Sequence, residues 1–233
     1  MGKGIRLSKS SAQAPAIAEY VVCHALSLLA PITAYRVAQV AHEWKSVPFR
    51  EVAETRWVIV GFGSIGSEIA RRVKPFGAHI TVVRRTPAPD ALVDEVRASS
   101  DLLSLLPNAD VVVLACSLND ETRGIAGTEF FAAMKPGSIL VNIGRGGLLD
   151  EAALQAGLAV DKPAAAVLDV FQTEPLPADA WAWDHPKVRV SSHCAGAGSG
   201  VLGRGDELFL ENYRRFLAGE PLLHEAALSE VGL

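Results

Sequence analysis

The sequence has few cysteines: three among its 233 residues, at Cys23, Cys116 and Cys194. They are odd in number and lie far apart, so they have neither the close spacing of a zinc site nor the density of a disulfide-stapled fold. We therefore expect no disulfide framework and no metal site. Unpaired, scattered cysteines are typical of a reducing compartment, which predicts a cytoplasmic protein.

A basic excess and long apolar runs are also missing. The 22 Lys and Arg residues are outnumbered by 26 Asp and Glu residues, whereas nucleic-acid-binding proteins normally present a basic face, so we expect no nucleic-acid partner. The most apolar early stretch, Val21–Ala34, is interrupted by His24 and Pro31, and no small-residue cleavage site follows it. We expect neither a signal peptide nor a membrane span.

The first recognisable element is a helix predicted over residues 16–44. Its apolar residues, among them Ile17, Val21, Leu28 and Val37, lie on more than one face. Such a helix must be buried between domains or between subunits. Pro31 should kink it, because proline lacks the backbone donor and clashes with the preceding turn.

Beyond this helix, short apolar runs alternate with helix-like stretches, and an amphipathic stretch at Leu208–Leu217 follows the last of them. Buried strands that alternate with helices indicate an α/β fold with a doubly wound, Rossmann-type parallel sheet. The predicted strands are Trp57–Val60, His79–Val83, Asp110–Ala115, Ile139–Asn142, Ala164–Leu168 and Val188–Val190, and the predicted helices between them include Ser64–Val73, Glu129–Met134 and Glu151–Leu158.

A glycine-rich turn, "GFGSIG", joins the first predicted strand to its helix. In the dinucleotide-binding fingerprint, Gly61 allows the tight turn, Gly63 lets a pyrophosphate approach the backbone, and Gly66 lets the helix pack close to the strand. The N–H groups near Ser64 and Ile65 would then face the phosphates at the positive end of the helix dipole. A turn used only for packing and the similar turn of a methyltransferase are the alternatives.

The end of the second strand carries "VVRRTP" in place of the usual acidic residue. An Asp about twenty residues after the glycines accepts hydrogen bonds from the ribose hydroxyls of NAD. Arg84 takes that place, followed by Arg85 and Thr86, and a guanidinium matches a 2′-phosphate instead. The pattern predicts a preference for NADP(H) over NAD(H); two solvated arginines without a ligand are the alternative.

Four polar residues follow predicted strands in the second half of the chain: Arg145, Asp169, Glu174 and His193. In an open α/β sheet, ligands bind outside the carboxyl ends of the strands, so these side chains should converge on one crevice. Each residue alone has a structural explanation. A cation, two carboxylates and an imidazole at consecutive strand ends together favour a catalytic site.

Residues 16–218 resemble the nucleotide domain of the D-isomer-specific 2-hydroxyacid dehydrogenases. The matching motifs are "VGFGSIG", "DETRG", "MKPGSILVNIGRGGLLDE", "VLDVFQTEPLP", "WDHPKV" and "SSHCAG". The resemblance implies that Arg145 orients the substrate, that His193 is the general acid/base, and that Glu174 pairs with it. It further implies cofactor contacts near the nicotinamide from Asp169, Ile143, Gly144, Arg145, His193, Cys116, Ser117 and Gly196.

Two positions depart from the family pattern. Ser192 stands where proline usually precedes the histidine, and Cys116-Ser117 replaces an apolar residue and proline beside the nicotinamide. Neither change removes a catalytic group, but both bear on loop rigidity.

The resemblance also predicts three regions. Residues 1–15, with "KGIRLSKS" at Lys3–Ser10, would be a remnant of the substrate domain and the crossover from it. Residues 16–218 would form the dinucleotide-binding domain, and residues 219–233 a tail returning toward the substrate domain. Most of a substrate domain is then missing, so the chain is either shortened or completed by a partner.

The predicted function is hydride transfer between NADP(H), or NAD(H) as the second option, and a 2-hydroxy acid/2-oxo acid pair. A 2-oxo acid reductase acting on glyoxylate, hydroxypyruvate or a bulkier 2-oxo acid fits the motifs, with a homodimer built through the long helix. The alternatives are a nucleotide-binding module with little or no turnover, and a formate- or phosphite-type dehydrogenase on the same fold.

Overall fold

The computed structural model describes residues 5–226. Residues 1–4 of the predicted remnant and residues 227–233 of the predicted tail lie outside the described residues. The strands are β1 Arg56–Val60, β2 His79–Val83, β3 Glu95–Arg97, β4 Val111–Leu114, β5 Ile139–Asn142, β6 Ala165–Leu168 and β7 Val188–Val190. The helices are α1 Ala14–Leu29, α2 Ile32–Val40, α3 Ser64–Val73, α4 Leu102–Leu105, α5 Thr128–Ala133, α6 Glu151–Ala159 and α7 Val201–Ala218. Short 3-10 turns lie at Val52–Glu54, Lys74–Phe76, Ser99–Asp101, Leu106–Asn108 and Gly146–Leu148.

All strands join one seven-stranded sheet in the order β3-β2-β1-β4-β5-β6-β7, and every pairing is parallel. The predicted doubly wound α/β fold is therefore confirmed. The apolar runs form strands because both faces of the sheet are covered: Trp57 and Ile59 pack with α1 and α3, and Val58 and Val60 pack with α5 and α6. The strand order reverses between β1 and β4, which opens a crevice at their carboxyl ends.

The kink predicted at Pro31 is confirmed, whereas the predicted end of the helix at residue 44 is wrong. The predicted helix consists of α1 and α2, which meet at an angle of 59°. The break lies at Ala30, whose backbone is extended because the residue before proline avoids the helical conformation. Helix α2 ends at Val40, and His42 adopts a positive φ of 56°, so residues 41–44 do not continue the helix.

Other differences are smaller. Strand β3 and helix α4 were not predicted, since β3 is three residues long and carries charged residues at both ends. Helix α7 begins at Val201 rather than Leu208. Within residues 5–226, no single helix is long and apolar enough to cross a membrane; only the bent pair α1 and α2 together reaches that length and composition.

The two ends of the described chain lie side by side. Ser8 forms an antiparallel bridge with Glu225, the Ala226 N–H donates to Leu7 O at 2.9 Å, and Arg6 forms an ion pair with Glu225 at 2.6 Å. The segment before α1 and the segment after α7 therefore form one small substructure.

Candidate functional site

The turn after β1 is built from glycines that meet different surroundings. Gly61 has a φ of 101°, and a Cβ there would lie 2.6 Å from Cys116 N in the loop after β4. A Cβ on Gly66 would lie 2.2 Å from Gly61 O, so α3 approaches the turn as closely as backbone allows. By contrast, a Cβ on Gly63 would meet no atom of residues 5–226 within 4 Å. The space outside Gly63 is open to a ligand.

Helix α3 begins at that open position. Among the described residues, no side chain caps its first turn, so the N–H groups near Ser64 and Ile65 keep no side-chain acceptor there. Uncapped N–H groups and the helix dipole together favour an anion. The turn therefore has the geometry of a phosphate site.

A cavity of about 370 Å³ adjoins the turn at the carboxyl ends of β1, β2 and β4. Arg84 is half-buried in its wall, while Arg85 and Thr86 are exposed. Within residues 5–226 the two guanidinium groups have no hydrogen bond or ion pair, so both are available to a ligand. The lining residues that the sequence singled out are Gly61, Gly63, Arg84, Arg85, Thr86, Cys116 and Ser117. Burial raises the pKa of the Cys116 thiol, which keeps it protonated and a poor nucleophile.

The loop after β5 holds Arg145 through a residue that the sequence analysis did not identify. Asn142 is fully buried; its Nδ2 donates to Arg145 O at 3.1 Å, and its Oδ1 accepts from the Gly144 N–H at 3.2 Å. The Arg145 guanidinium donates to Gly144 O at 2.6 Å. Ile143 is buried beneath this loop. A polar residue at the end of an apolar strand was the available signal for Asn142.

Asp169, which follows β6, is 3% exposed and collects hydrogen bonds from the loop after β7. Its Oδ1 accepts from Ser191 Oγ at 2.5 Å and the Cys194 N–H at 2.9 Å, and its Oδ2 accepts from the Ala195 N–H at 3.0 Å. In this structure the carboxylate anchors the loop that carries His193. Gly196, further along the same loop, lies against Gln13 just before α1.

His193 and Glu174 form a hydrogen-bonded pair. His193 Nδ1 lies 2.7 Å from Glu174 Oε2, and Glu174 Oε1 accepts from the Phe171 N–H at 2.9 Å. Partial burial opposes ionisation of Glu174, but these hydrogen bonds and the charges of His193 and Arg145 lower its pKa overall. Glu174 is therefore a carboxylate near neutral pH, and it orients the imidazole.

Glu174 also connects two cavities. One, of about 460 Å³, is lined by Asp169, Glu174 and His193, and the other, of about 810 Å³, by Arg145 and Glu174. The four polar residues predicted to converge therefore do lie around one region at the carboxyl edge of the sheet. Arg84 and Arg85, which follow β2, line a different cavity, the one next to the glycine turn. The site therefore has an anion-binding region beside the glycine turn and an acid/base region around His193 and Glu174.

Comparison with known proteins matches this geometry to one family. The model of the D-isomer specific 2-hydroxyacid dehydrogenase NAD binding domain matches residues 22–195. The glyoxylate/hydroxypyruvate reductase of Arabidopsis thaliana is 37% identical over 179 residues, covering 76% of this chain and 54% of the reductase. The chain thus spans about half the length of that relative.

Solved structures extend the likeness to nearly the whole chain. A D-isomer specific 2-hydroxyacid dehydrogenase family protein from Aeromonas salmonicida superposes with a TM-score of 0.86 at 33% identity, covering 97% of this chain and 73% of that one. A D-isomer specific 2-hydroxyacid dehydrogenase from Xanthobacter autotrophicus, in complex with NADPH and MES, gives a TM-score of 0.85 at 29% identity, covering 97% of this chain and 94% of that one.

Proposed function

We propose that this chain, which belongs to the D-isomer specific 2-hydroxyacid dehydrogenase family through its NAD-binding domain, transfers a hydride between a nicotinamide nucleotide and a 2-hydroxy acid/2-oxo acid pair. The observation that carries the proposal is the 2.7 Å contact of His193 with Glu174, beside Arg145. The reductase name of the Arabidopsis relative supports glyoxylate or hydroxypyruvate as the kind of substrate.

The roles of the side chains follow from their contacts. When bound, the nicotinamide supplies the hydride for reduction. His193 has its Nδ1 engaged by Glu174, so its Nε2 is the nitrogen left to donate a proton to the forming alkoxide. Arg145 places a forked cation where negative charge grows on the carbonyl oxygen. In oxidation, neutral His193 takes the proton back.

The cofactor preference is for NADP(H), with NAD(H) as the weaker ligand. The guanidinium groups of Arg84 and Arg85 have no partners within residues 5–226, the two residues line the cavity next to the glycine turn, and Thr86 adds a hydroxyl. The bound NADPH of the Xanthobacter relative supports this preference. The remaining contacts to the cofactor are assigned to Gly61, Gly63, Ser64, Ile65, Gly66, Cys116, Ser117, Ile143, Gly144, Arg145, Asp169, His193 and Gly196.

A nucleotide-binding module with little turnover is the second candidate. The observation that favours it is that the cavity beside the glycine turn, with Arg84 and Arg85 in its wall, is separate from the cavities lined by Glu174, so a nucleotide can bind there without turnover. The paired segments at Leu7–Ser8 and Glu225–Ala226 support the assignment of residues 1–15 and 219–233 to the substrate-domain side. Residues 16–218 then form the dinucleotide-binding domain.

Assembly and location complete the proposal. The chain forms a homodimer through α1 and α2, because α2 exposes Ile32, Val37 and Val40. It resides in the cytoplasm, which fits the three free cysteines.

The experiment is a steady-state assay of the purified chain with NADPH or NADH and a panel of 2-oxo acids that includes glyoxylate and hydroxypyruvate. Formate and phosphite with the oxidised cofactors are added to test the related dehydrogenase chemistries. We expect 2-oxo acid reduction with NADPH, and a loss of about 10²–10⁴-fold in His193→Ala. His42→Ala, at an exposed histidine outside the site, is the control. Tight NADPH binding without turnover would support the module instead, and full activity of His193→Ala would contradict the acid/base role.

A further inference from the structure

Helix α1 reaches the loop that carries His193 through a chain of hydrogen bonds. The Tyr20 hydroxyl lies 2.6 Å from Ser191 Oγ, and Ser191 Oγ donates to Asp169 Oδ1 at 2.5 Å. Tyr20 and Ser191 are 171 residues apart in sequence and both are partly buried. The chain thus joins the N-terminal helix to the acid that anchors the loop.

The direction of each hydrogen bond follows from the donors available. Asp169 already accepts two backbone N–H groups, and the single proton of Ser191 goes to the carboxylate. Tyr20 must therefore donate to Ser191. Burial, with the charge of Asp169, outweighs the hydrogen bond to Ser191 and raises the pKa of Tyr20 to about 12, so the phenol keeps the proton that it donates.

The anchored loop needs an external restraint. His193 has a φ of 52°, in the left-handed region that a residue with a Cβ seldom adopts. Its N–H donates to Asp169 O at 2.8 Å, and the next two N–H groups, of Cys194 and Ala195, donate to the Asp169 carboxylate. Three successive residues are thereby tied to Asp169.

Packing keeps the Tyr20 hydroxyl in place. The ring of His24, one turn later on α1, lies 4.3 Å from the Tyr20 ring between centroids. The same helix meets the loop again at Gly198, where a Cβ would lie 2.6 Å from the Ala16 Cβ. Helix α1 therefore supports the loop through contacts at two positions, Tyr20 and Ala16.

We propose that Tyr20 is a positioning residue: by donating to Ser191 it holds Asp169 and the Ser191–Ala195 loop in the conformation that places His193 on Glu174. The conformational part of the proposal stands on the contacts alone, and its catalytic consequence rests on the proposed function. Nothing in the family motifs assigns this role to the helix.

The test compares Tyr20→Phe with Tyr35→Phe. The control removes a hydroxyl on α2 that donates to Val47 O at 2.8 Å rather than to the loop. The readout is amide hydrogen exchange at Cys194 and Ala195, which requires no turnover. Loss of one hydrogen bond should speed exchange about two- to tenfold in Tyr20→Phe and leave it unchanged in Tyr35→Phe. Exchange at Val112 and Leu140 in the core strands should stay at the wild-type rate.

A double-mutant cycle sharpens the result. Because Tyr20 acts through Ser191, Tyr20→Phe should add no further acceleration in a Ser191→Ala background. If the chain reduces 2-oxo acids, Tyr20→Phe should lower kcat by a similar factor and change the Kd of NADPH less. Unchanged exchange at Cys194 and Ala195, or an equal rise at Val112 and Leu140, would overturn the proposal. An inactive wild type would contradict the proposed function alone, since the exchange readout is independent of it.

Discussion

Arg84 has its backbone and side chain in different environments. The Arg84 N–H donates to Arg97 O of β3 at 3.1 Å, so the sheet fixes its Cα, while its guanidinium lines the cavity beside the glycine turn. In the proposed cofactor complex, a cation held at this point would face the adenosine ribose of the dinucleotide. Because the Arg84 N–H makes this contact, the Arg84 side chain can be replaced without disrupting the end of β2.

We predict that Arg84→Asp reverses the cofactor preference. Wild type should bind NADPH about ten- to hundredfold more tightly than NADH, because one charge-assisted hydrogen bond contributes about 1.5–3 kcal/mol. Fluorescence titration with both reduced cofactors, at low and high salt, measures the ratio, and salt should reduce it. Arg214→Asp on α7 is the matched control. Equal affinities in wild type, or no gain for NADH in Arg84→Asp, would contradict the assignment.

At the scale of the elements, the turn after β1 and helix α3 contain two glycines with different roles. Gly66 brings the helix against the turn, whereas Gly63 faces open space. Gly66 is required for the packing of α3 against the turn. Gly63 affects only the approach of a ligand to the turn. Substitution should separate folding from binding at these two positions.

We predict that Gly63→Ala and Gly66→Ala fail differently. Gly63→Ala should keep the wild-type unfolding free energy within about 0.5 kcal/mol but lose at least about tenfold in NADPH affinity, because the methyl group enters the phosphate approach. Gly66→Ala should lose about 1–3 kcal/mol of stability through the clash with Gly61 O. Urea unfolding and NADPH titration distinguish them, with Gly203→Ala, also in open space, as the control. Unchanged affinity in Gly63→Ala would argue against a phosphate at this turn.

At the scale of the whole molecule, Asp110 ties distant segments together just before β4. Its carboxylate accepts from the Arg56 N–H at 2.8 Å and from Lys135 Nζ at 2.6 Å, and it forms an ion pair with Arg50 at 2.5 Å. Burial opposes its ionisation, but these three groups lower the pKa of Asp110 overall. The link between the segment after α2, the start of β1 and the segment after α5 therefore depends on a buried charge.

We predict that this link weakens in acid. The folded pKa lies below the unfolded value of about 3.9, so the stabilisation is complete above that pH and is lost as pH falls through the folded pKa. Asp110→Asn should cost about 1–3 kcal/mol at pH 7 and show a weaker acid dependence. Urea unfolding between neutral and acid pH measures both effects, with the exposed Asp179→Asn as control. An acid dependence identical to wild type would show that other carboxylates dominate.

The molecule also exposes an apolar face on α2, where Val37 is 64% and Val40 is 82% exposed. We predict a homodimer in sedimentation at micromolar concentration, and at least about tenfold weaker association in Val40→Glu, because the dimer would bury the new charge. Val160→Glu is the matched control, since Val160 is 64% exposed at the end of α6. A wild-type monomer, or equal weakening by both substitutions, would contradict a dimer through α2.

Local patterns in the sequence were sufficient for most of the sheet and for the glycine turn. Runs such as Ile139–Asn142 become strands because their apolar side chains need burial on both faces, and that need is visible in the run itself. The glycines at positions 61 and 66 are likewise predictable, since turn geometry and close packing act over a few residues. The break at Pro31 is local as well.

The tertiary structure decided what depends on distant segments. Strand β3 forms only because the edge of β2 offers free backbone groups to Glu95–Arg97, whose charged side chains give no strand pattern of their own. Tyr20 received no role from sequence, because its partner Ser191 comes from another element. The hydrogen bond between Tyr20 and Ser191, which are 171 residues apart, forms only when α1 packs onto the sheet. Local periodicity in the sequence cannot predict that contact.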